Sequence, residues 1–163
     1  MKISYITTAA LTLALSLTAS MPAMVTAGEL HGSYYLSTSS NEFDVVVADL
    51  QDAIVNQGLV VDFVGHSGDM LERTAEALET ESPLSAAQYI NFCSAKLTHA
   101  AIAASPENMA ICPYVVFAYQ VKSEPDTVYL GFRRPAGATG EASEQALADI
   151  ESLMQALVDE ATE

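Results

Sequence analysis

Alternating apolar and polar residues predict several short strands along this chain. Residues 31–38 alternate in this way, which is typical of a strand with one buried face. Residues 59–64 form a short, nearly continuous apolar run, which favours a strand inside a sheet. Three later segments are rich in Tyr, Ile, Phe and Val, the residues that favour strands, and the last two form a predicted hairpin. These segments are residues 87–92, 114–121 and 127–134.

Apolar residues at helical spacing predict helices between the strands and after the last one. Val46, Leu50 and Ile54 share one stripe of the first helix, and Gly58 is placed to end it. Ser94 and Ser143 are placed to cap the last two helices. The predicted helices span residues 43–57, 70–79, 94–104 and 144–161.

The order β-α-β-α-β-α-β-β-α predicts an α+β fold. We expect one mixed β-sheet of about five strands, with helices packed mainly on one face. A chain of 163 residues is long enough for one domain with a proper core. We expect a signal peptide over residues 1–27, an α+β domain over 28–134, and a linker with an amphipathic helix over 135–163. That helix packs either on the domain or on a partner.

The first residues have the features of an export signal. Lys2 precedes an apolar run over residues 6–17, and small residues at 25–27 predict cleavage after Ala27. The apolar run is shorter than the roughly 20 residues that a membrane-spanning helix needs. We therefore expect a periplasmic or secreted protein with no membrane insertion once the signal is removed.

The charge of the mature chain is strongly negative. With Lys2 removed, five Lys and Arg residues remain against 21 Asp and Glu residues, a net charge of −16. Such a surface repels nucleic acid and anionic lipid, so neither is an expected partner. The charge either keeps an exported domain soluble or favours basic partners and cations.

The two cysteines lie at the ends of predicted strands. Cys93 follows the third strand and Cys112 precedes the fourth, with eighteen residues between them. If those strands are antiparallel neighbours, the two cysteines meet and a disulfide can form, as is common in exported proteins. If the strands are parallel, the cysteines lie farther apart than the roughly 7 Å between Cα atoms that a disulfide spans. Buried free thiols and a reactive or metal-binding pair are the alternatives.

Two segments of the chain resemble domain-of-unknown-function family 302 (DUF302). Residues 92–119 read FCSAKLTHAAIAASPENMAICPYVVFAY, and residues 43–46 and 56–61 are similar to the family's opening helix, glycine and strand. The resemblance covers residues 35–134 and leaves the last helix outside. It implies a small α+β domain that forms homodimers and whose biochemical role is not settled. Cys93 and Cys112 stand where many members have Gly and Leu.

Four residues in this stretch are candidate ligands for a cofactor. Cys93, His99, Met109 and Cys112 are residue types that bind copper or haem iron. The spacing is not diagnostic, because neither Cys-x-x-Cys-His nor a Cys-x-x-Cys pair is present. Met109 equally suits a gap in the core and His99 a surface position. Copper and haem are therefore hypotheses, and the cofactor is unknown.

Three further residues are candidates for ligand binding. His66 lies in a turn flanked by glycines, where it acts as a base or ligand or is simply exposed. Arg133 is unusual in so acidic a chain, and it binds an anion or pairs with a nearby carboxylate. Tyr119 lies on the fourth predicted strand, in the same predicted hairpin as Arg133.

The sequence contains no recognisable catalytic signature. The Gly-His-Ser-Gly turn lacks the spacing and the lysine of a phosphate loop, and no Ser-His-Asp order stands out, so an enzyme is not expected. Two functions compete. The first is the binding of a small ligand or cofactor between the sheet and the helices, and the second is binding of a protein partner through the sheet face or the acidic surface.

Overall fold

A six-stranded sheet forms the centre of the computed structural model, which describes residues 28–162. The predicted signal peptide, residues 1–27, lies outside the described residues. The strand order is β1-β2-β6-β5-β4-β3. The strands are β1 (Glu29–Leu30), β2 (Tyr34–Ser39), β3 (Val61–Gly65), β4 (Leu84–Phe92), β5 (Tyr114–Val121) and β6 (Val128–Arg133). The helices are α1 (Phe43–Asn56), α2 (Ser67–Ala77), α3 (Ala95–Ala104) and α4 (Glu141–Glu160), with a 3₁₀ helix at Pro106–Ile111.

The predicted α+β fold class is confirmed, but three details of the sheet differ. Every pairing among the described strands is antiparallel, so the sheet is not mixed. The sixth strand is the two-residue β1, which is too short to leave a periodic pattern in the sequence. The apolar run at residues 59–64 also does not lie inside the sheet, because β3 is an edge strand.

The antiparallel pairing of β4 and β5 follows from the segment that connects them. The chain leaves β4 at Phe92 and enters β5 at Tyr114, and these two residues are opposite each other in the register. α3 takes the chain away from this end of the sheet, and the 3₁₀ helix brings it back to the same end. Two short helices in succession therefore replace the single crossover that a parallel pair needs.

One face of the sheet is covered by α1 and α4, and the core lies between them and the sheet. The predicted stripes of both helices are buried, as are alternate residues of β4, β5 and β6. Burial of each such aliphatic side chain stabilises the fold by about 1.5–3 kcal/mol. The largest buried side chains include Tyr35, Leu50, Ile54, Ile90, Phe92, Tyr114, Leu130, Phe132, Ile150, Met154 and Leu157.

The linker before α4 is held by Asn108, a buried residue of the 3₁₀ helix. Its Nδ2 donates hydrogen bonds to the Ala101 carbonyl (2.9 Å) and to the Ser143 hydroxyl (2.7 Å). Its Oδ1 accepts a hydrogen bond from the Ala138 amide at 2.9 Å. The prediction that Ser143 caps α4 is therefore wrong: the helix begins at Glu141, and Ser143 is buried against Asn108.

Polar contacts also tie α4 to the sheet of its own chain. The Tyr35 hydroxyl donates to Asp159 Oδ1 at 2.7 Å. The Arg134 guanidinium donates to both carboxylate oxygens of Glu151 at 3.1 Å. The last helix thus packs on the domain itself. Among the helices of residues 28–162, none is long and apolar enough to cross a membrane.

Candidate functional site

The face of the sheet opposite α1 and α4 carries a set of half-exposed aromatic residues. On β5, Tyr114, Val116 and Ala118 are buried under the helices, so the alternating residues Val115 and Phe117 point to the other face. We call this surface the open face. Its members, assigned from the strand register, include Glu29, Tyr34, Leu36, Phe63, Tyr89, Asn91, Val115, Phe117, Tyr119, Tyr129, Gly131 and Arg133.

The register places residues of the open face in rows across the strands. In one row, Asn91 on β4 is paired with Val115 on β5, and Tyr34 on β2 is paired with Arg133 on β6. Val115 and Arg133 are brought together because their chain neighbours, Val116 and Phe132, are paired. The next row runs through Tyr89, Phe117, Gly131 and Leu36.

Two glycines allow the rings of this second row to lie low on the sheet. A Cβ atom at Gly65 would lie 2.2 Å from the Tyr89 ring, so that ring occupies the space above Gly65 on β3. A Cβ atom at Gly131 would lie 3.2 Å from the Phe117 ring and 2.0 Å from the Tyr35 carbonyl oxygen. Tyr89 and Phe117 therefore lean towards opposite neighbouring strands, and the surface between them stays open.

A cavity of about 680 Å³ occupies this part of the open face. Its walls combine aromatic and aliphatic side chains with a small number of polar groups: Tyr34, Tyr89, Asn91, Val115, Phe117 and Arg133. Ala110 and Pro113 complete one rim. A smaller cavity of about 230 Å³ adjoins it and shares Val115, Arg133 and that rim. Arg133 thus lies between the two cavities.

Arg133 differs from two other basic residues beside the sheet. Arg134 pairs with Glu151 at 3.0 Å, and Lys122 pairs with Glu72 at 3.3 Å. Within residues 28–162, no carboxylate pairs with Arg133. An unpaired guanidinium at the edge of a cavity is available to a ligand.

Asn91 supplies the second polar group of the cavity. Its Oδ1 atom is buried and has no hydrogen-bond partner in the described part of the chain. A buried acceptor without a partner costs about 1–3 kcal/mol of desolvation. Because this oxygen is buried, a ligand in the cavity reaches it only if the Asn91 amide turns over, and the ligand then supplies the missing donor.

Tyrosines continue the open face beyond the cavity. The rings of Tyr119 and Tyr129 stack with centroids 5.0 Å apart and planes 10° apart. Burial raises the pKa of the Tyr119 hydroxyl, and the neighbouring Tyr34 and Glu124 raise it further. The pKa of Tyr129 is raised chiefly by its hydrogen bond to the Glu124 carboxylate. Both hydroxyls therefore stay protonated at neutral pH and serve as hydrogen-bonding groups.

The two cysteines are joined in a disulfide. Cys93 directly follows β4 and Cys112 lies two residues before β5, so the antiparallel pairing brings their Cα atoms to 6.0 Å. This distance lies within the usual range for a disulfide. The structure therefore has a disulfide at this position rather than two buried free thiols or a reactive or metal-binding pair. No thiolate is then left at either position for a metal.

A second groove, of about 550 Å³, lies beside the disulfide. His99 and Ile102 of α3 line it together with both cysteines and Asp62 of the β3 edge. Within the described residues, no three His, Cys, Asp or Glu side chains are grouped as a metal site needs.

The candidate residues predicted from the sequence are thus divided between separate surfaces. Arg133 and Tyr119 lie on the open face, whereas His99 lies in the groove beside the disulfide. Met109 is 55% exposed on the 3₁₀ helix, and its neighbour Ala110 lines the cavity. His66 is exposed at the start of α2.

Most of the open-face residues were not singled out from the sequence, although a signal for them exists. Tyr89, Asn91, Val115 and Phe117 occupy alternate positions of two predicted strands. The alternation shows that they share a face, but it does not show which face the helices cover. Asn91 within a strand of apolar residues was the visible exception to the pattern.

Comparison with known proteins agrees with this architecture. The fold is similar to that of a crystal structure from Bacillus stearothermophilus, described as uncharacterized conserved protein DUF302. That structure has a TM-score of 0.64 and 16% sequence identity, and the alignment covers 78% of this chain and 97% of that one. No match was found among curated proteins.

The model of family DUF302, a domain of unknown function, matches residues 35–161. The chain therefore belongs to the DUF302 family. The match continues past Arg134, where the resemblance read from the sequence ended, and it includes α4. The last helix is thus part of the family's domain rather than an addition to it.

Proposed function

We propose that this protein is an exported binding module that holds a small ligand in the open-face cavity. The observation that carries the proposal is the cavity of about 680 Å³ with its unpaired Arg133. Ligand sites commonly measure about 300–1,000 Å³ and combine apolar walls with a small number of polar groups. The predicted signal peptide supports export to the periplasm or beyond.

The lining of the cavity favours binding over catalysis. Ser33 and the tyrosines are the hydroxyl groups among its described lining residues, and neither an imidazole nor a carboxylate is among those residues. Hydroxyl nucleophiles need an adjacent base to be activated. The candidates His66 and His99 lie on other surfaces.

Native mass spectrometry of the protein, purified after expression of the full chain, tests the proposal. We expect a folded protein that retains or takes up a compound of small mass, and a denaturing mass that begins at Gly28 and lacks two hydrogens. A Val115→Trp substitution fills the cavity and should abolish retention. Val60→Trp is the matched control, because Val60 lines the groove beside the disulfide. Equal retention by both variants would place the ligand elsewhere.

A Gly65→Ala substitution provides an independent test of the same cavity. The new methyl group would lie 2.2 Å from the Tyr89 ring, so the ring must move from its place above β3. Movement towards β5 narrows the cavity, and we expect weaker ligand retention with the fold intact. Unchanged retention together with unchanged tyrosine fluorescence would separate Tyr89 from the site.

Binding of a protein partner is the second candidate function, and the exposed aromatic residues favour it. Phe63 is 55% exposed and Tyr34 is 39% exposed on the open face. Apolar surface of this kind marks interaction sites when it is contiguous. The resemblance to DUF302 proteins implies that the partner is a second copy of the chain. This function would be favoured if the native mass is that of a dimer with no retained small compound, and if Val115→Trp converts the dimer to a monomer.

A further inference from the structure

Arg133 and Asn91 place two different hydrogen-bonding functions on opposite sides of the cavity. Arg133 lies on β6 and Asn91 on β4, with β5 between them. Neighbouring strands lie about 4.8 Å apart, so the two backbones are separated by roughly 10 Å. A guanidinium only donates, whereas the unpaired Oδ1 of Asn91 only accepts. A ligand that spans the cavity therefore needs an acceptor for Arg133 and, to satisfy Oδ1 once the Asn91 amide has turned towards it, a donor at the other end.

The surface between these two residues is apolar and fits a flat group. Val115 lies between Asn91 and Arg133, and the Phe117 and Tyr89 rings border it on the adjacent row. Aromatic rings bind other rings by offset stacking or edge-on contact. A planar ring is therefore the group that best fills the middle of the cavity.

The sign of the ligand's charge is decided locally, despite the acidity of the chain. A cation in the cavity would meet the unpaired Arg133. Glu151 is already paired with Arg134, and Glu124 accepts from Tyr129. Glu29 also lies on the open face, but on β1, two strands from Arg133, and it does not line the cavity. Charges farther than about 8 Å are largely screened at physiological ionic strength. Arg133 is the charged side chain among the described residues that line the cavity, and it favours an anion.

We infer that the open-face cavity binds a planar aromatic carboxylate that carries a hydroxyl or amino group opposite the carboxylate. The carboxylate pairs with the Arg133 guanidinium through two parallel hydrogen bonds, as planar guanidinium and carboxylate groups do. The ring lies on Val115 against Phe117, and the hydroxyl donates to Asn91 Oδ1. This ligand class rests on the proposed function, since it deepens the assignment of the same cavity.

Isothermal titration with four related probes tests the ligand class. The probes are para-hydroxybenzoate, neutral para-hydroxybenzyl alcohol, cationic para-hydroxybenzamidine and non-planar cyclohexanecarboxylate. We expect para-hydroxybenzoate to bind at least tenfold more tightly than each of the other three. Equal affinity for the alcohol would refute the role of the carboxylate, and equal affinity for cyclohexanecarboxylate would refute the role of the ring.

Substitutions at the two polar residues assign the contacts. Arg133→Gln should weaken para-hydroxybenzoate binding at least tenfold and leave the alcohol unaffected, while Arg133→Lys should retain part of the affinity. Arg73→Gln is the matched control, since Arg73 is an exposed arginine of α2 outside the cavity. The wild-type protein should prefer para-hydroxybenzoate to benzoate, an additional probe without the hydroxyl, and Asn91→Leu should remove this preference. Equal effects of Arg133→Gln and Arg73→Gln would overturn the proposal.

The outcomes separate this inference from the proposed function. If the alcohol binds as tightly as the carboxylate and Val115→Trp abolishes both, the cavity is a binding site but the ligand class is wrong. If none of the four probes binds while a compound retained in native spectra is lost in Val115→Trp, the ligand class is again wrong. If nothing is retained and no probe binds, both proposals fail.

Discussion

Removal of the disulfide gives the most quantitative prediction for this fold. The Cys93–Cys112 bridge closes a loop with a sequence separation of 19 residues. On the chain-entropy model, a loop of this length lowers the entropy of the unfolded chain enough to stabilise the fold by about 3 kcal/mol. We therefore expect a Cys93→Ser, Cys112→Ser double variant to lose about 3 kcal/mol in its free energy of unfolding.

The same substitution tests a link between the bridge and the cavity. The loop that the disulfide closes carries Ala110, and Pro113 directly follows it; both residues form the rim of the open-face cavity. Opening the bridge gives this segment more freedom, while the core under α1 and α4 is unaffected. The double variant should remain folded and bind ligands more weakly.

Urea denaturation followed by circular dichroism measures the loss of stability. The oxidised wild-type protein should have the highest unfolding midpoint. The wild-type protein in reductant and the double variant should share a lower midpoint. In thermal scans the loss corresponds to a fall of roughly 10 °C for a domain of this size. Reductant must not affect the double variant. Equal stability of all three samples would refute the reasoning, as would free thiols in the untreated protein.

Two further substitutions test how the sheet is attached to α4. Tyr35→Phe removes the hydrogen bond to Asp159 and should cost about 1–2 kcal/mol at neutral pH. Burial, together with that bond, raises the pKa of Tyr35 to about 12. Because the unfolded tyrosine loses its proton near pH 10, wild-type stability should fall between about pH 10 and 12. The variant should lose less stability over this range, the remainder coming from Tyr119 and Tyr129, whose pKa values are also raised. Arg134→Gln breaks the half-exposed ion pair with Glu151 and should cost about 1 kcal/mol, whereas Arg133→Gln should change stability by less than about 0.5 kcal/mol. Urea denaturation checks both, and equal costs at the two arginines would contradict their separate roles.

The periodic parts of the fold could be predicted from the sequence because each carries its own signal. β5 was predicted with its observed bounds, since β-branched and aromatic residues fill it from Tyr114 to Val121. The stripe of α4 was equally clear, because one face of a long helix must be buried. By contrast, β1 has two residues, and no pattern can be read from so short a strand.

The candidate site could not be predicted because it depends on which face of the sheet the helices cover. The alternation within β5 places Val115 and Phe117 on one face, but nothing local in the strand shows that this face is open. Arg133 was noticed because it is a cation in an acidic chain. Its lack of a partner depends on Glu151 facing Arg134 instead, which only the packing of α4 decides.

Chemical-shift mapping on isotope-labelled protein tests most directly whether the open face is the binding site. The chain from residue 28 to residue 163 is titrated with a mixture of small neutral, anionic and cationic aromatic compounds, and the shifts of the backbone amides are followed. The account predicts that the largest shifts cluster at Asn91, Val115 and Arg133. Shifts that cluster at His99 and Ile102 in the groove beside the disulfide, or no saturable shifts at all, would contradict it.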